Sequence, residues 1–147
     1  MSKQIQYDEL LSQIKSLIDG ENDQIANLAN ICAAINACFG HHWIGFYIVK
    51  DQELVLGPFQ GPVACTRIGF GKGVCGKAWA DKKAIVVDDV SLFEGHIACS
   101  AYSKSEIVIP LIRNQSVWAV LDIDSSELNT FNQVDCLYLT RLCELIP

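Results

Sequence analysis

The sequence predicts an α+β fold in which a central, mainly antiparallel sheet has helices packed on one face. Apolar residues recur with helical spacing near both ends of the chain, whereas the middle carries short stretches of aromatic and β-branched residues. Tight turns separate several of these stretches, and strands joined by tight turns pair antiparallel. The 147 residues are enough for one domain, 1–147, with a core of its own.

The first two predicted elements are helices. Residues 4–19 carry apolar side chains at helical spacing and are followed by Gly20, a residue common just after a helix. Residues 23–39 repeat the pattern, with Asp23 as a candidate N-cap and Gly40 after the last residue. Each helix therefore offers one apolar face to a core.

Strands, a short helix and a long loop make up the middle of the chain. Gly57-Pro58 and Gly61-Pro62 predict a loop after the second strand. Residues Ser91–Ser105 predict a long loop, and long ordered loops are often functional. The further predicted elements are strands at Trp43–Val49, Gln52–Leu56 and Val63–Ile68, a short helix at Val74–Asp81, strands at Ala84–Val87, Glu106–Arg113 and Val117–Asp124, and a helix at Thr130–Ile146.

Charge and hydropathy exclude several classes of partner. The formal net charge is −6, and no cluster of Lys or Arg offers a surface for nucleic acid or anionic lipid. The longest apolar runs fall far short of the roughly 20 residues that span a bilayer. Residues 1–9 lack the apolar segment of a secretory signal, so we expect a cytoplasmic protein without nucleic-acid or membrane partners.

The seven cysteines divide into two groups by context. Cytosolic thiols are kept reduced, so a structural disulfide framework is not expected. Four cysteines lie on predicted helices, where a small apolar filling role is the ordinary interpretation: Cys32, Cys38, Cys136 and Cys143. Three lie near predicted loops in the Gly-punctuated middle of the chain: Cys65, Cys75 and Cys99.

Two kinds of chemistry are open to the loop cysteines. A zinc site is one, with His96 and Cys99 as a ligand pair, although structural zinc sites usually show two such pairs. Thiol redox chemistry is the other, since it needs one attacking thiolate and a second thiol within its reach. Three loop cysteines in a cytosolic chain favour the redox interpretation.

The segment Gly71–Gly76 matches the G-x-G-x-x-G pattern. A dinucleotide site requires a longer helix after the pattern and an acidic residue about 20 positions later, and Asp88 and Asp89 come too early. The segment is therefore interpreted as a turn into a helix, whose free backbone N–H groups suit a carboxylate or a phosphate.

Acidic and aromatic residues suggest a ligand pocket. Asp122 and Asp124 lie two apart on one strand, so both carboxylates face the same side of the sheet. Glu106 begins the neighbouring strand of the hairpin, and three converging carboxylates require a cation or shared protons. Trp43 and Tyr47, four apart on their strand, face one side and can wall an apolar pocket; core packing is the alternative.

Taken together, these motifs resemble the free methionine-(R)-sulfoxide reductases, which are single GAF domains. The likeness covers most of the chain and rests on the three-cysteine spacing above all. The segments that carry it are Val63–Ile68, Gly71–Gly76, Gly95–Cys99, Ser103–Pro110 and Leu121–Asp124. The resemblance implies a GAF-like antiparallel sheet with helices packed on one face.

The resemblance also implies roles for the candidate residues. Cys99 matches the nucleophile, Cys65 the cysteine that resolves it, and Cys75 a third redox cysteine with an auxiliary part. The residues that match the family's substrate-binding positions are the carboxylates and aromatics named above: Glu106, Asp122, Asp124, Trp43 and Tyr47.

The activity implied is thiol-dependent reduction of free methionine (R)-sulfoxide through a sulfenic acid and an intramolecular disulfide. Thioredoxin would supply the electrons, with no metal and no organic cofactor. GAF domains often pair through terminal helices, so a homodimer is a further expectation. The alternative is a non-catalytic GAF module that senses a small molecule or redox state.

Overall fold

A computed structural model describes residues 1–97, 99 and 101–147. In the described residues the chain forms four α-helices, six strands and one turn of 3₁₀-helix at Val90–Leu92. The helices are α1 (Lys3–Ile18), α2 (Gln24–Phe39), α3 (Gly73–Asp81) and α4 (Gln133–Glu144). The strands are β1 (Trp43–Lys50), β2 (Glu53–Gln60), β3 (Arg67–Gly69), β4 (Ile85–Val87), β5 (Ser105–Arg113) and β6 (Ser116–Ser125).

The strands form one sheet in the order β3-β2-β1-β6-β5-β4, and every neighbouring pair is antiparallel. Tight turns produce two of the pairings. Asp51 and Gln52 join β1 to β2, and Asn114 and Gln115 join β5 to β6, all with positive φ as hairpin turns require. The predicted α+β class with an antiparallel sheet is confirmed.

Helices α1, α2 and α4 cover one face of the sheet. Their apolar faces bury Ile14, Ile35 and Leu142 against strand residues such as Phe46 and Leu121. On the opposite face the short helix α3 packs Val74 and Ala78 on the strands, the 3₁₀ turn adds Val90, and loops surround them. Because successive strand residues alternate between faces, the sheet separates a helix-covered core from a loop-covered face.

Helix ends follow the predicted caps at α2 and differ at α4. The Asp23 side chain accepts a hydrogen bond from the Ala26 N–H, and Gly40 ends α2 in the left-handed conformation. Helix α4 begins later than predicted, because Asn132 and Asp135 form a capping box. Thr130 lies outside the helix and donates its hydroxyl to Ser125 Oγ at 2.6 Å.

Two predicted strand boundaries are wrong. The second strand continues through Gly57 and Pro58 to Gln60, and the third forms only at Arg67–Gly69. Residues 63–66 leave the sheet instead and cross the loop-covered face. None of the helices in the described ranges combines the length and apolarity needed to cross a bilayer.

Candidate active site

A pocket opens on the loop-covered face of the sheet, and seven of the eight candidate residues line it: Trp43, Tyr47, Cys75, Cys99, Glu106, Asp122 and Asp124. The eighth, Cys65, is not a lining residue but is bonded to Cys99. It encloses about 550 Å³ of space, counting the open mouth. Its floor is the sheet, and one wall is the start of α3. Loop residues complete its lining: Val63, Ala64, His96, Ile97, Cys99 and Ser103.

Strand β1 supplies an aromatic wall and holds the loop that carries Cys65. The rings of Trp43 and Tyr47 stack with centroids 6.0 Å apart. The indole N–H of Trp43 donates to the Pro62 carbonyl at 3.0 Å, and the Tyr47 hydroxyl donates to the Cys65 carbonyl at 2.8 Å. The two aromatic side chains therefore fix the backbone on both sides of residues 63 and 64.

Glycine makes room for this wall. A Cβ on Gly45 would lie 2.4 Å from the Trp43 ring and 2.5 Å from Phe59 Cβ, so only glycine fits between the two rings. Trp43 and Phe59 also stack on each other, with centroids 5.4 Å apart.

Three carboxylic acids converge on the pocket floor. Glu106 on β5 pairs in register with Asp124 on β6. Asp122 lies two residues before Asp124 on β6, and its side chain is on the same face of the sheet. Their exposed fractions are only 5%, 9% and 6% for Glu106, Asp124 and Asp122. Oδ1 of Asp122 is fully buried and has no hydrogen-bond partner in the structure. A buried acceptor without a partner is costly, so the site suits a cationic or donating ligand.

Burial and mutual repulsion keep protons on these acids. Burial and the charge of Asp124 raise the pKa of Glu106 from 4.5 to about 8. Burial and the charge of Glu106 raise the pKa of Asp122 well above its usual value. Burial and the charge of Asp122 raise the pKa of Asp124 in the same way, while a hydrogen bond from Ser103 partly opposes that shift. At neutral pH the pocket therefore holds protonated carboxyl groups.

Cys65 and Cys99 are joined in a disulfide at the pocket mouth, with their Cα atoms 5.5 Å apart. This separation is in the range that disulfides require. Sulfur atoms joined in this way are not thiolate ligands, so the arrangement does not fit the zinc alternative built on His96 and Cys99. The sequence resemblance predicts this pair of cysteines as resolving residue and nucleophile.

Cys75 lies deeper, in the first turn of α3, with 3% of its surface exposed. Burial, followed by the charges of Asp122, Glu106 and Asp124, raises the pKa of the Cys75 thiol well above its usual value. The thiol is therefore protonated at neutral pH and a weak attacking group. The auxiliary redox role of Cys75 stays a prediction.

The glycine-rich turn delivers backbone amides to the pocket. The first helical hydrogen bond of α3 runs from the Gly76 N–H to the Lys72 carbonyl at 2.8 Å, so the amides of Gly73, Val74 and Cys75 precede the helical ladder. All three residues line the pocket, which suits an anionic group. A Cβ on Gly76 would lie 2.5 Å from the Gly69 carbonyl oxygen, so only glycine permits this close approach.

Two further polar residues lie beside the acids: His96, which the sequence suggests only as a zinc ligand, and Ser103, to which it assigns no role. His96 Nε2 lies 3.8 Å from Glu106 Oε1, and burial lowers the pKa of His96. The Ser103 hydroxyl hydrogen-bonds to Asp124. Both residues belong to the predicted long loop, and the length of that loop is the sequence signal for its functional role.

The four cysteines interpreted as apolar filler lie in or against the helix-side core. Cys32 and Cys143 are buried in it, and Cys38 and Cys136 pack against it partly buried. This location agrees with the sequence interpretation.

The raised pKa values predict that the free energy of unfolding falls as pH rises from about 4.5 to about 8. Across this window the folded protein keeps protons that the unfolded chain has lost, so rising pH favours unfolding. Urea denaturation at several pH values measures the effect. Glu106→Gln cannot titrate and should show a shallower decline.

The pH dependence of the wild type must be compared with that of Glu106→Gln, because His41 changes the free energy of unfolding with pH in the opposite direction. Burial lowers the pKa of His41 to about 4, so its contribution to the free energy of unfolding rises with pH up to about 6.5. Parallel curves for the wild type and Glu106→Gln would contradict the assigned pKa of Glu106. The variant retains the titratable neighbours of Glu106, which are Asp122, Asp124, Cys75 and His96. Loss of the Glu106 charge also makes the pKa of Asp122 less raised, which flattens the decline further.

Comparisons with known proteins identify the family to which this fold and pocket belong. The family model for the GAF domain matches residues 25–146. The GAF domain-containing protein A of Dictyostelium discoideum is 55% identical, over 99% of this chain and 92% of its own length. The free methionine-R-sulfoxide reductase of Escherichia coli is 44% identical, over 92% of this chain and 82% of its own length.

Solved structures agree with these relatives. The free methionine-R-sulfoxide reductase from Neisseria meningitidis, in complex with its substrate, superposes with a TM-score of 0.98. It is 49% identical, and the match covers 99% of this chain and 89% of that one. The chain is a GAF domain and belongs to the family of the free methionine-R-sulfoxide reductases.

Proposed function

We propose that this chain reduces free methionine-R-sulfoxide to methionine, with Cys99 as the nucleophile and Cys65 as the resolving cysteine. The observation that carries the proposal is the Cys65–Cys99 disulfide beside a pocket floored by three buried acids. Membership of the reductase family supports it.

The pocket offers a partner for each part of the substrate. The unpartnered Oδ1 of Asp122 accepts from the α-ammonium, together with Asp124. The amides of Gly73, Val74 and Cys75 suit the α-carboxylate. The apolar side chain packs against Trp43, which directs the sulfoxide toward Cys99. The ammonium also offsets the carboxylate charge that otherwise disfavours a Cys99 thiolate.

The first chemical step transfers oxygen from the substrate to the protein. The Cys99 sulfur attacks the sulfoxide sulfur and forms a sulfur–sulfur bond, while one proton from the thiol and one from a pocket carboxyl group let the sulfoxide oxygen leave as water. That water attacks the Cys99 sulfur and returns a proton to the carboxylate, and the sulfur–sulfur bond breaks with its electron pair on the methionine sulfur. Glu106, with a pKa of about 8, carries such a proton at neutral pH. Methionine is released, and Cys99 becomes a sulfenic acid, so the substrate is reduced by two electrons and the thiol oxidised by two.

The second step closes the disulfide and the third reopens it. The Cys65 thiol attacks the sulfenic acid, a sulfur–sulfur bond forms, and the oxygen leaves as water. A dithiol reductant of the thioredoxin type then exchanges with the disulfide, is oxidised itself, and restores both thiols. The cycle needs no metal and no organic cofactor.

The remaining expectations concern the setting of the enzyme. Five free cysteines suit the reducing cytoplasm, where thioredoxin is present. Exposed apolar side chains on the helices support a homodimer formed by the terminal helices: Ile5 and Leu17 on α1, Ile25 on α2 and Leu137 on α4. Sedimentation analysis distinguishes the dimer from a monomer.

A coupled assay tests the proposed function. The chain is incubated with the separate R and S forms of methionine sulfoxide, thioredoxin, thioredoxin reductase and NADPH. We expect NADPH consumption with the R form only, matched by methionine. A non-catalytic sensor would bind the compound without turnover, and a redox sensor would consume no more than one equivalent of reductant per disulfide.

Cys65→Ser should separate the first step from recycling. The variant keeps Cys99 and should release about one methionine per chain before it stalls with thioredoxin, because the thiol that resolves the Cys99 sulfenic acid is gone. Rapid-quench measurement of methionine checks the burst. Continuous thioredoxin-supported turnover by Cys65→Ser would overturn the resolving role.

A further inference from the structure

The deepest part of the pocket gathers three side chains that ligate metals. Cys75 Sγ on α3, a carboxylate oxygen of Glu106 on β5 and one of Asp122 on β6 all lie within 4.8 Å of one another. Each side chain is more than nine-tenths buried. Three separate elements of the fold thus place one sulfur and two oxygens around a common point.

An independent feature of this cluster points to a cation. Asp122 Oδ1 is fully buried without a hydrogen-bond partner. A cation satisfies such an oxygen, and it also permits the neighbouring carboxylates to ionise together.

The donor set selects the kind of cation. Calcium requires six to eight oxygen ligands, and magnesium prefers oxygen ligands with several waters. A thiolate is not a usual ligand of either ion. Zinc accepts one thiolate with carboxylates, and three protein ligands leave its fourth position to water. We propose that Cys75, Glu106 and Asp122 form a binding site for a thiophilic divalent cation of the zinc class.

Binding requires a small local adjustment and a loss of protons. Zinc–ligand bonds of about 2.0–2.3 Å put tetrahedral ligands roughly 3–4 Å apart, slightly closer than the 4.8 Å limit within which these atoms lie. The Cys75 thiol and the two carboxyl groups must ionise, so the dication replaces their protons. Three negative charges then surround two positive ones in a buried site.

The site overlaps the place proposed for the substrate ammonium. A dication on Asp122 and an ammonium on Asp122 exclude each other, so the metal acts as a competitive inhibitor. This exclusion rests on the proposed function, whereas cation binding itself does not.

Cadmium absorption tests the site directly. Cadmium shares the ligand preferences of zinc and gives an ultraviolet charge-transfer band when a thiolate binds it. The oxidised chain is titrated, because its disulfide removes Cys65 and Cys99 as ligands. We expect a thiolate band that saturates at one ion per chain and is displaced by zinc.

Three variants identify the residues that bind the cadmium ion. Cys75→Ser should abolish it, and Asp122→Asn, which keeps the thiol, should weaken cadmium binding at least about 10–100-fold, the loss that even outer-shell partners cause. Cys136→Ser removes a partly buried thiol outside the pocket and should change nothing. Circular dichroism verifies that each variant is folded. An absent band, a band retained in Cys75→Ser, or one lost in Cys136→Ser overturns the proposal.

A single-turnover experiment tests the exclusion. Zinc should slow methionine release by reduced Cys65→Ser, and excess methionine sulfoxide should restore it. Inhibition that substrate does not relieve overturns the exclusion. A chain that shows the Cys75-dependent band but releases no methionine without zinc would refute the proposed reductase function and leave the cation site standing.

Discussion

Cys99→Ser is expected to abolish both steady-state turnover and the release of methionine in a single turnover. A serine hydroxyl is a far weaker nucleophile than a thiolate at neutral pH. Cys75 is not a substitute, because it is buried and its raised pKa keeps the thiol protonated. Chromatographic measurement of methionine from excess enzyme checks the prediction.

The matched control is Cys136→Ser, which removes a thiol that packs against the opposite core. It should keep the activity of the wild type, which separates the loss of a reactive cysteine from a general effect of thiol removal. Stoichiometric methionine from Cys99→Ser would exclude Cys99 as the nucleophile.

The second large effect concerns the substrate. N-acetyl methionine sulfoxide and an oxidised peptide should react roughly a hundred to a few thousand times more slowly than the free amino acid. Both lack the α-ammonium, whose positive charge stabilises the ionised form of the buried carboxyl groups and pairs with it. Breaking a buried charge pair by removing one partner costs about 3–5 kcal/mol, which converts to this range.

The measurement compares kcat/KM for the three compounds with one reductant. Asp122→Asn should lower the preference for the free amino acid, because the amide keeps the shape of the side chain but cannot ionise to pair with the ammonium. Asp89→Asn is the control, since its carboxylate is exposed and caps the 3₁₀ turn outside the pocket. Comparable efficiency on the N-acetyl compound would refute the pairing of ammonium and acids.

The fold follows from hydrophobic periodicity and turn residues, and the errors fall where a tertiary contact overrides a local signal. Gly57-Pro58 predicts a loop, yet β2 passes through it. The register shifts between Gly45 and Tyr47, so Phe46 faces both residues of the Gly-Pro pair. A Cβ on Gly57 would come within 3.0 Å of the Phe46 carbonyl oxygen. Such a bulge depends on the neighbouring strand and is not visible in the local sequence.

The sequence predicts those parts of the site in which the alternation of side chains along a strand decides which face of the sheet a residue occupies. Asp122 and Asp124 had to share a face, and the hairpin had to bring Glu106 beside them. The contacts of His96 and Ser103 depend on the path of a long loop, which no periodicity describes. The hydrogen bonds that Trp43 and Tyr47 donate to the carbonyls of Pro62 and Cys65 are not predictable either. They join a strand to a loop whose path has no periodic sequence signal.

The disulfide links residues 34 positions apart, and the enclosed segment includes β3, α3 and β4. In the chain-entropy model, closing a loop of this length stabilises the folded protein by about 3–4 kcal/mol. Each proposed catalytic cycle therefore alternates the enzyme between a heat-resistant oxidised form and a weaker reduced form, separated by roughly 10 °C in melting temperature. The linkage is reciprocal, so folding favours the disulfide by the same amount that the disulfide favours folding. A cell short of reductant would therefore accumulate the oxidised form, which is the more heat-resistant one. The fraction of the enzyme that stays folded on heating would then report the supply of reductant.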